Sequence, residues 1–395
     1  MKKPFFKRVV VVVIDGLGAG ELPDAARYGD SGSDTLDNTA RAVGGLALEN
    51  LSSMGLGCIE GVDLIEKPCS PIASYGRMAE ASPGKDTSTG HWEMAGVILK
   101  KPFATFPDGF PPEMLEKFSA LTGYGALWAK PASGTEIIER FGKVHIESHR
   151  LIIYTSADSV FQIAAHEDIV PLKELYGVCR EARGFLNEYN IERVIARPFT
   201  GPPGAFTRTA GRRDFSMGPP AKTLLERVRE RGVHVTGIGK IGDIFAHRGI
   251  DDELHTTSDS DGLDKTVEAV KSPREGPAFI FTNLVEFDML YGHRNDPRGC
   301  AGVLKNIDKR IPGITALLTE DDLFIITGDH GCDPTTPSTD HSREYAPLIV
   351  YGKGLRGGVN LGTRKTFADL GASIAEAFAI PPLGEGQSFL PSVLK

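Results

Sequence analysis

Residues 8–15 read RVVVVVID: six β-branched aliphatic side chains in succession, opened by an arginine and closed by an acid. A strand exposed on one face would alternate apolar and polar positions, whereas this run is apolar on both. Such a segment fits the interior of a mostly parallel sheet with helices on either side. Four further runs of this type follow, VHVTGIG (233–239), AFIFTNLV (278–285), LFIITGD (323–329) and APLIVYG (346–352). Helical patterns are expected between or beside them at 220–231, 263–271, 300–318 and 367–378, and this alternation is the signature of βαβ units.

A different segment interrupts that pattern. KPFATFPDGFPPEM (101–114) opens it and FSMGPPAK (215–222) closes it, both rich in proline and glycine. Within it, helices are expected at 111–122 and 172–189, and strands in RLIIYTS and ERVIARPF. The domain organisation predicted is a discontinuous core, 1–100 with 219–395, carrying an inserted α+β cap at 101–218.

The chain has 395 residues, 41% of them hydrophobic, which is enough for a sizeable core. A net charge of −8 argues against a phosphate-backbone footprint, so no nucleic-acid partner is expected. Five scattered cysteines, none in CxxC spacing, suit a reducing compartment, and a cytoplasmic location is expected. The opening MKKPFFKRVVVVVIDG imitates a signal peptide, but the apolar run Val9–Ile14 is too short for one and stops at Asp15. No stretch approaches the roughly 20 apolar residues of a membrane span. No coiled-coil pattern calls for assembly, and a monomer is expected.

Three expected core strands lead into acids: Asp15 after the first, Asp288 in NLVEFD and Asp329 in IITGDHG. Ligands of open parallel sheets bind beyond the carboxyl ends of the strands, where residues distant in sequence can meet. His293, His330 and His341 lie close to these acids in sequence or in the same loop. Three carboxylates and three imidazoles suffice for two divalent ions, and mixed oxygen and nitrogen donors fit Mn²⁺ or Zn²⁺ better than Mg²⁺. Two ions about 4 Å apart form a clamp for in-line phosphoryl transfer, which needs a hydroxyl or water between them.

GKDTSTGHWE (84–93) offers three such hydroxyls, Thr87, Ser88 and Thr89, before an expected helix start. An oxygen there would profit from the helix N-terminus and from metal coordination. Equally, Asp86 or one of the hydroxyls could merely cap the helix. GIGKIG (237–242) is a literal GxGxxG, but no clear helix follows it and the acids in TTSDSDG (256–262) fall in an expected loop, so a glycine-rich turn presenting Lys240 is the better reading. HIESH (145–149) lacks the HExxH order and is expected to be a surface feature. Neither GxSxG nor a Walker A sequence occurs.

VVVIDGLGAGELPDA, GKDTSTGHWEMAG, NLVEFDMLYGHRNDP and GDHGCDPTTPSTDHSREYAPL together closely resemble the bacterial phosphopentomutases of the alkaline phosphatase superfamily. The likeness runs from the first strand to the final helix. It implies an alkaline-phosphatase-like α/β core with a cap, and interconversion of ribose 1-phosphate or 2-deoxyribose 1-phosphate with the 5-phosphate. By the family pattern Thr87 carries the phosphoryl group and a pentose 1,5-bisphosphate is the intermediate. Asp15, Asp329 and His330 match one ligand set and Asp288, His293 and His341 the other, normally for two Mn²⁺, with a sugar bisphosphate as activator. Asp158, Arg197, Arg212 and Lys240 match positions that hold sugar or distal phosphate, although Arg208 and Arg213 lie close to Arg212.

Overall fold

Strand by strand, the main sheet runs Asp252–Leu254, His234–Ile238, Ala278–Leu284, Arg8–Ile14, Asp322–Thr327, Ala346–Tyr351, Ser74–Met78 and Asn360–Arg364. The computed structural model describes residues 5–156, 159–272 and 274–395. RVVVVVI is the central strand: it pairs in parallel with Ala278–Leu284 on one side and Asp322–Thr327 on the other, and Val9–Ile14 are fully buried. Only Ala346–Tyr351 runs against the remaining strands. The expected mostly parallel α/β core is therefore the fold, with apolar helix faces such as that of Pro297–Thr315 packed against the sheet.

Parallel pairing fixes where the acids go. In register, Ile14 lies beside Leu284 and Val13 beside Thr327, so the chain leaves all three strands at the same edge. The antiparallel strand Ala346–Tyr351 begins at that edge too. The connection 328–345 thus starts and finishes there, and its histidines cannot stray far from Asp15.

The chain divides into two compact units, Met1–Lys101 with Pro219–Lys395, and Pro102–Gly218. The second has its own mixed sheet, in the order Ala126–Pro131, Leu151–Thr155, Val160–His166, Arg193–Thr200 and Thr207–Arg208, with Arg213–Ser216 also paired to Arg193–Thr200. Its separate core includes Phe118, Phe161, Ile163, Leu175 and Val194.

Helix boundaries differ from the sequence expectation where capping chemistry intervenes. TTSDSDG is no simple loop: the Ser258 hydroxyl accepts the Asp261 N–H at 3.1 Å and starts the helix Asp259–Lys271 inside that stretch. Asp296 likewise caps Pro297–Thr315 by accepting from Gly299 N–H at 3.0 Å. GIGKIG closes the strand His234–Ile238 with a turn and a single helical turn, Ile241–Ile244. Gly239 there has φ +79°, and a Cβ on it would overlap the Asn283 carbonyl.

HIESH is a correction. It ends a helix, Gly134–Ser148, that the sequence reading missed, and His145 faces inward rather than to solvent. Its Nδ1–H donates to the Arg150 carbonyl at 2.7 Å, and its Nε2 accepts the His166 backbone N–H at 2.9 Å. Burial holds its pKa below the usual histidine value, matching this neutral, fully bonded state. His149, by contrast, is exposed and sits at the helix end in the left-handed region with φ +58°.

The two histidines of this motif should respond in opposite directions. His145→Leu strands a buried N–H and a carbonyl and is expected to destabilise by about 2–3 kcal/mol. His149→Gly relieves a left-handed residue and is expected to stabilise by up to about 1 kcal/mol. Urea denaturation followed by circular dichroism checks both.

Candidate metal centre

Asp15 leaves the central strand with its carboxylate fully enclosed. Its Oδ2 accepts from Asn283 Nδ2 at 2.9 Å, while its Oδ1 lies 3.3 Å from His330 Nε2 and 3.3 Å from Thr87 Oγ1. Asp329 Oδ1 accepts backbone N–H groups from Gly16 at 3.0 Å and His330 at 3.1 Å, which turns Oδ2 toward the same point. Asp15, Asp329 and His330 offer three ligand atoms within 4.8 Å of one another.

Beside them, Asp288 projects from a short π-helical segment, Phe287–Tyr291. Its oxygens lie 3.3 Å from His293 Nε2 and 3.5 Å from His341 Nε2. Two groups of potential ligands form around it, one with His330 and His341 and one with His293 and Cys332. The His330 and His341 rings have centroids 4.0 Å apart, and those of His293 and His341 are 4.7 Å apart. All six acids and histidines singled out from the sequence therefore meet at one sheet edge, although His330 reaches both clusters.

Hydrogen bonding dictates the tautomers. His330 Nδ1 faces the Gly331 carbonyl at 3.0 Å and His293 Nδ1 faces the Thr339 carbonyl at 2.6 Å, so each Nδ1 carries a proton. In the neutral rings both Nε2 atoms then direct lone pairs at carboxylate oxygens. Asp288 Oδ1 and Asp329 Oδ2 are buried without a hydrogen-bond partner of good geometry. Acceptors aimed at acceptors in a buried site fit divalent cations, whose ligands are deprotonated. Cys332 is a poorer donor, because burial and then the Asp288 charge push its thiol well above the usual range.

Without a cation, protons take its place. Burial alone would raise the Asp288 carboxyl, yet His341, His293 and His330 hold it well below the usual range. The hydrogen bond and charge of Asp288 raise His293 to about 9 against the effect of burial. His330 is also raised, since Asp329, Asp15 and Asp288 outweigh its desolvation.

Thr87 is the first residue of the helix Thr87–Met94. Asp86 is the cap, accepting the Thr89 N–H at 2.9 Å and the Thr89 hydroxyl at 2.6 Å. That arrangement occupies Thr89 and leaves Thr87 Oγ1 facing Asp15 and, at 3.3 Å, His330 Nε2. A Cβ at Gly90 would overlap the Asp329 carbonyl, so this helix can approach the GDHG turn only with glycine there.

Sequence reasoning missed the supports. Arg343, buried two residues beyond His341, donates to Glu80 Oε2 and to the Ser82 and Gly84 carbonyls at 2.8, 2.8 and 2.5 Å, tying down the loop before Thr87. Lys85 pairs with Asp30 at 3.0 Å and Asp340 at 3.2 Å, so it is not a free phosphate ligand. His91 and Asn283 also lie against the site. Only the DHSRE order hinted at Arg343.

Of the remaining candidates, Lys240 is exposed in the glycine-rich turn beyond His234–Ile238. Asp158 lies outside the described residues. In the inserted unit, Arg197 donates through Nε to Gln162 Oε1 at 2.9 Å, and burial followed by the Arg212 and Arg208 charges lowers its pKa. Arg212 is held by Asp214 through two bonds of 2.9 Å. Arg208, which was not singled out, approaches Tyr154 closely enough that a Cβ on Gly134 would overlap both.

The Metalloenzyme superfamily matches residues 7–382 of the chain. A phosphopentomutase of Acetivibrio thermocellus is 54% identical over 98% of this chain and 100% of its own length. One of Thermotoga maritima is 55% identical over 97% and 98% respectively.

The raised pKa of His293 has a definite sign for the metal-free protein. Its contribution to stability is fully present below the ordinary value of 6.5 and is lost as pH rises through about 9. Metal-free protein should therefore melt at progressively lower temperature across that interval, with a shallower decline in His293→Asn. Divalent-metal affinity should rise over the same interval as the proton leaves, a trend calorimetric titration at several pH values reads directly.

Proposed function

The chain belongs to the phosphopentomutases within the metalloenzyme superfamily, and from that membership we propose that it interconverts ribose 1-phosphate, or its 2-deoxy form, with the 5-phosphate through phosphorylated Thr87. The observation that carries the proposal is Thr87 Oγ1, 3.3 Å from both Asp15 and His330 at the start of a helix. Two divalent cations, proposed as Mn²⁺ on Asp15, Asp329 and His330 and on Asp288, His293 and His341, would supply Lewis-acid charge to the phosphoryl oxygens.

In the forward step the Thr87 Oγ–P bond breaks as phosphorus bonds to the free hydroxyl oxygen of the pentose monophosphate, which gives up its proton. The resulting 1,5-bisphosphate turns around. Its other P–O(sugar) bond then breaks as phosphorus returns to Thr87 Oγ, and the released sugar oxygen takes up a proton. The helix N-terminus gives a favourable dipole for the dianionic phosphothreonine. Asp158, Arg197, Arg212 and Lys240 are assigned to the sugar and the phosphate not being transferred, and Arg208 joins them by its place beside Tyr154 and Arg197. Guanidinium groups suit this task because they present paired donors to phosphate and keep their charge when partly buried.

A sugar bisphosphate would prime the cycle by phosphorylating Thr87. On this reading the enzyme is monomeric and cytoplasmic, and its partners are pentose phosphates.

With Mn²⁺ and a catalytic amount of sugar bisphosphate, ribose 5-phosphate should yield ribose 1-phosphate with little free phosphate, as followed by phosphorus NMR. Thr87→Ala should lower turnover by more than about 10³-fold. Full turnover in that variant, or peptide mapping that puts the phosphate on Ser88 or Thr89, would sink the scheme.

A further inference from the structure

We infer that His91 and Asn283 form a buried clamp that positions Asp15, Asp329 and the helix bearing Thr87. His91 belongs to none of the groups of potential metal ligands among the described residues, and Asn283 turns an amide N–H, not a lone pair, toward Asp15. The inference rests on reading Asp15, Asp329, His330 and Thr87 as a metal and phosphoryl centre.

Hydrogen bonds and one close polar contact, that of His91 with Asp329, form one consistent chain. His91 Nδ1 lies 2.9 Å from the Thr87 carbonyl and 3.1 Å from Asp329 Oδ2. Both are acceptors, so Nδ1 carries the proton and Nε2 is left with a lone pair. Asn283 Nδ2 stands 3.4 Å from that Nε2 and 2.9 Å from Asp15 Oδ2, and an amide nitrogen has one hydrogen for each. Reversing the amide would set its oxygen against a carboxylate and an imidazole lone pair, so its orientation is determined. His91 is completely buried, as is Asn283, and the imidazole packs against Phe281 with ring centroids 5.7 Å apart.

This arrangement spans three elements. Asn283 comes from the strand Ala278–Leu284, His91 from the helix Thr87–Met94, and the two carboxylates from the ends of the strands flanking one another at the sheet centre. Two buried like charges repel, and the clamp restrains each: Asn283 holds Asp15 Oδ2, leaving Oδ1 to face His330, and His91 lies against the Asp329 Oδ2 that His330 also faces. The His91 proton is directed chiefly at the Thr87 carbonyl, so Asp329 Oδ2 is oriented while its lone pairs remain available to a cation. Since His91 sits one turn after Thr87, a shift of the helix would move nucleophile and carboxylate together. Both are positioning residues, acting on metal and nucleophile through other groups.

Calorimetric titration of metal-free, dephosphorylated protein with Mn²⁺, together with the visible spectrum of the Co²⁺ form, tests the inference. His91→Phe retains a ring without nitrogen donors, Asn283→Leu removes the amide, and His91→Asn keeps a donor near the Nδ1 position. The first two should weaken one of the two metal equivalents by about 10–100-fold and change the Co²⁺ spectrum, with His91→Asn recovering much of both. Asp329→Asn serves as the reference for the centre itself. If it loses metal while His91→Phe and Asn283→Leu bind and absorb like wild type, the clamp is refuted and the centre stands. If Asp329→Asn also binds normally, the reading of the centre fails and takes the clamp with it. A uniform loss of both equivalents, with lower melting of the metal-free protein and no recovery in His91→Asn, would reduce the pair to structural roles and overturn the inference.

Discussion

Mutual repulsion among buried acceptors governs the architecture of the sheet edge. Asp15, Asp288 and Asp329 converge there with imidazole nitrogens whose protonated sides are bonded elsewhere. Left to themselves, such groups would separate or take up protons. They are held together by a frame that cannot relax: a central strand buried on both faces, backbone N–H groups fixing Asp329, and glycines that let loops approach closely. Electrostatic strain of this kind is relieved by a cation, and the frame is what makes the relief available at the nucleophile.

Topology accounts for the economy of the arrangement. A parallel strand followed by an antiparallel one returns the intervening connection to the edge from which it left. One connection can therefore supply Asp329 and His330 at its start, His341 near its end, and Arg343 immediately afterwards. Arg343 then anchors the loop leading to Thr87, so metal-binding and nucleophilic segments share a support without adjacency in sequence.

How much of this could be read beforehand depended on whether a residue's partners were local. The valine run declared its buried strand because its pattern is complete in itself, and the parallel fold followed from repetition of that pattern. Ser74–Met78 and Asn360–Arg364 went unrecognised because SYGRM, second from the end of the sheet, and NLGTR, its edge strand, carry polar residues and short alternation. His145 was misread because its two hydrogen-bond partners, Arg150 and His166, become neighbours only through the fold. In GKDTSTGHWE the cap and the candidate nucleophile could not be told apart by composition; geometry gives the cap to Asp86 and turns Thr87 toward Asp15. His91 and Asn283 had no signal of their own, since a lone histidine in a helix and an asparagine in a strand acquire meaning only from what they face.

The interrupted core has a consequence for synthesis on the ribosome. Val9 pairs with Phe279 and Leu323, so the strand Arg8–Ile14 is made well before either neighbour and waits for the first of them until Ala278–Leu284 has been added. Pro102–Gly218, by contrast, is contiguous and contains its own core, and it can fold while the central valine run is still unpaired. For that period a highly β-prone apolar segment lacks its sheet partners, and exposure to wrong pairing is the natural cost of setting the middle strand of a sheet so far ahead of its neighbours in the chain.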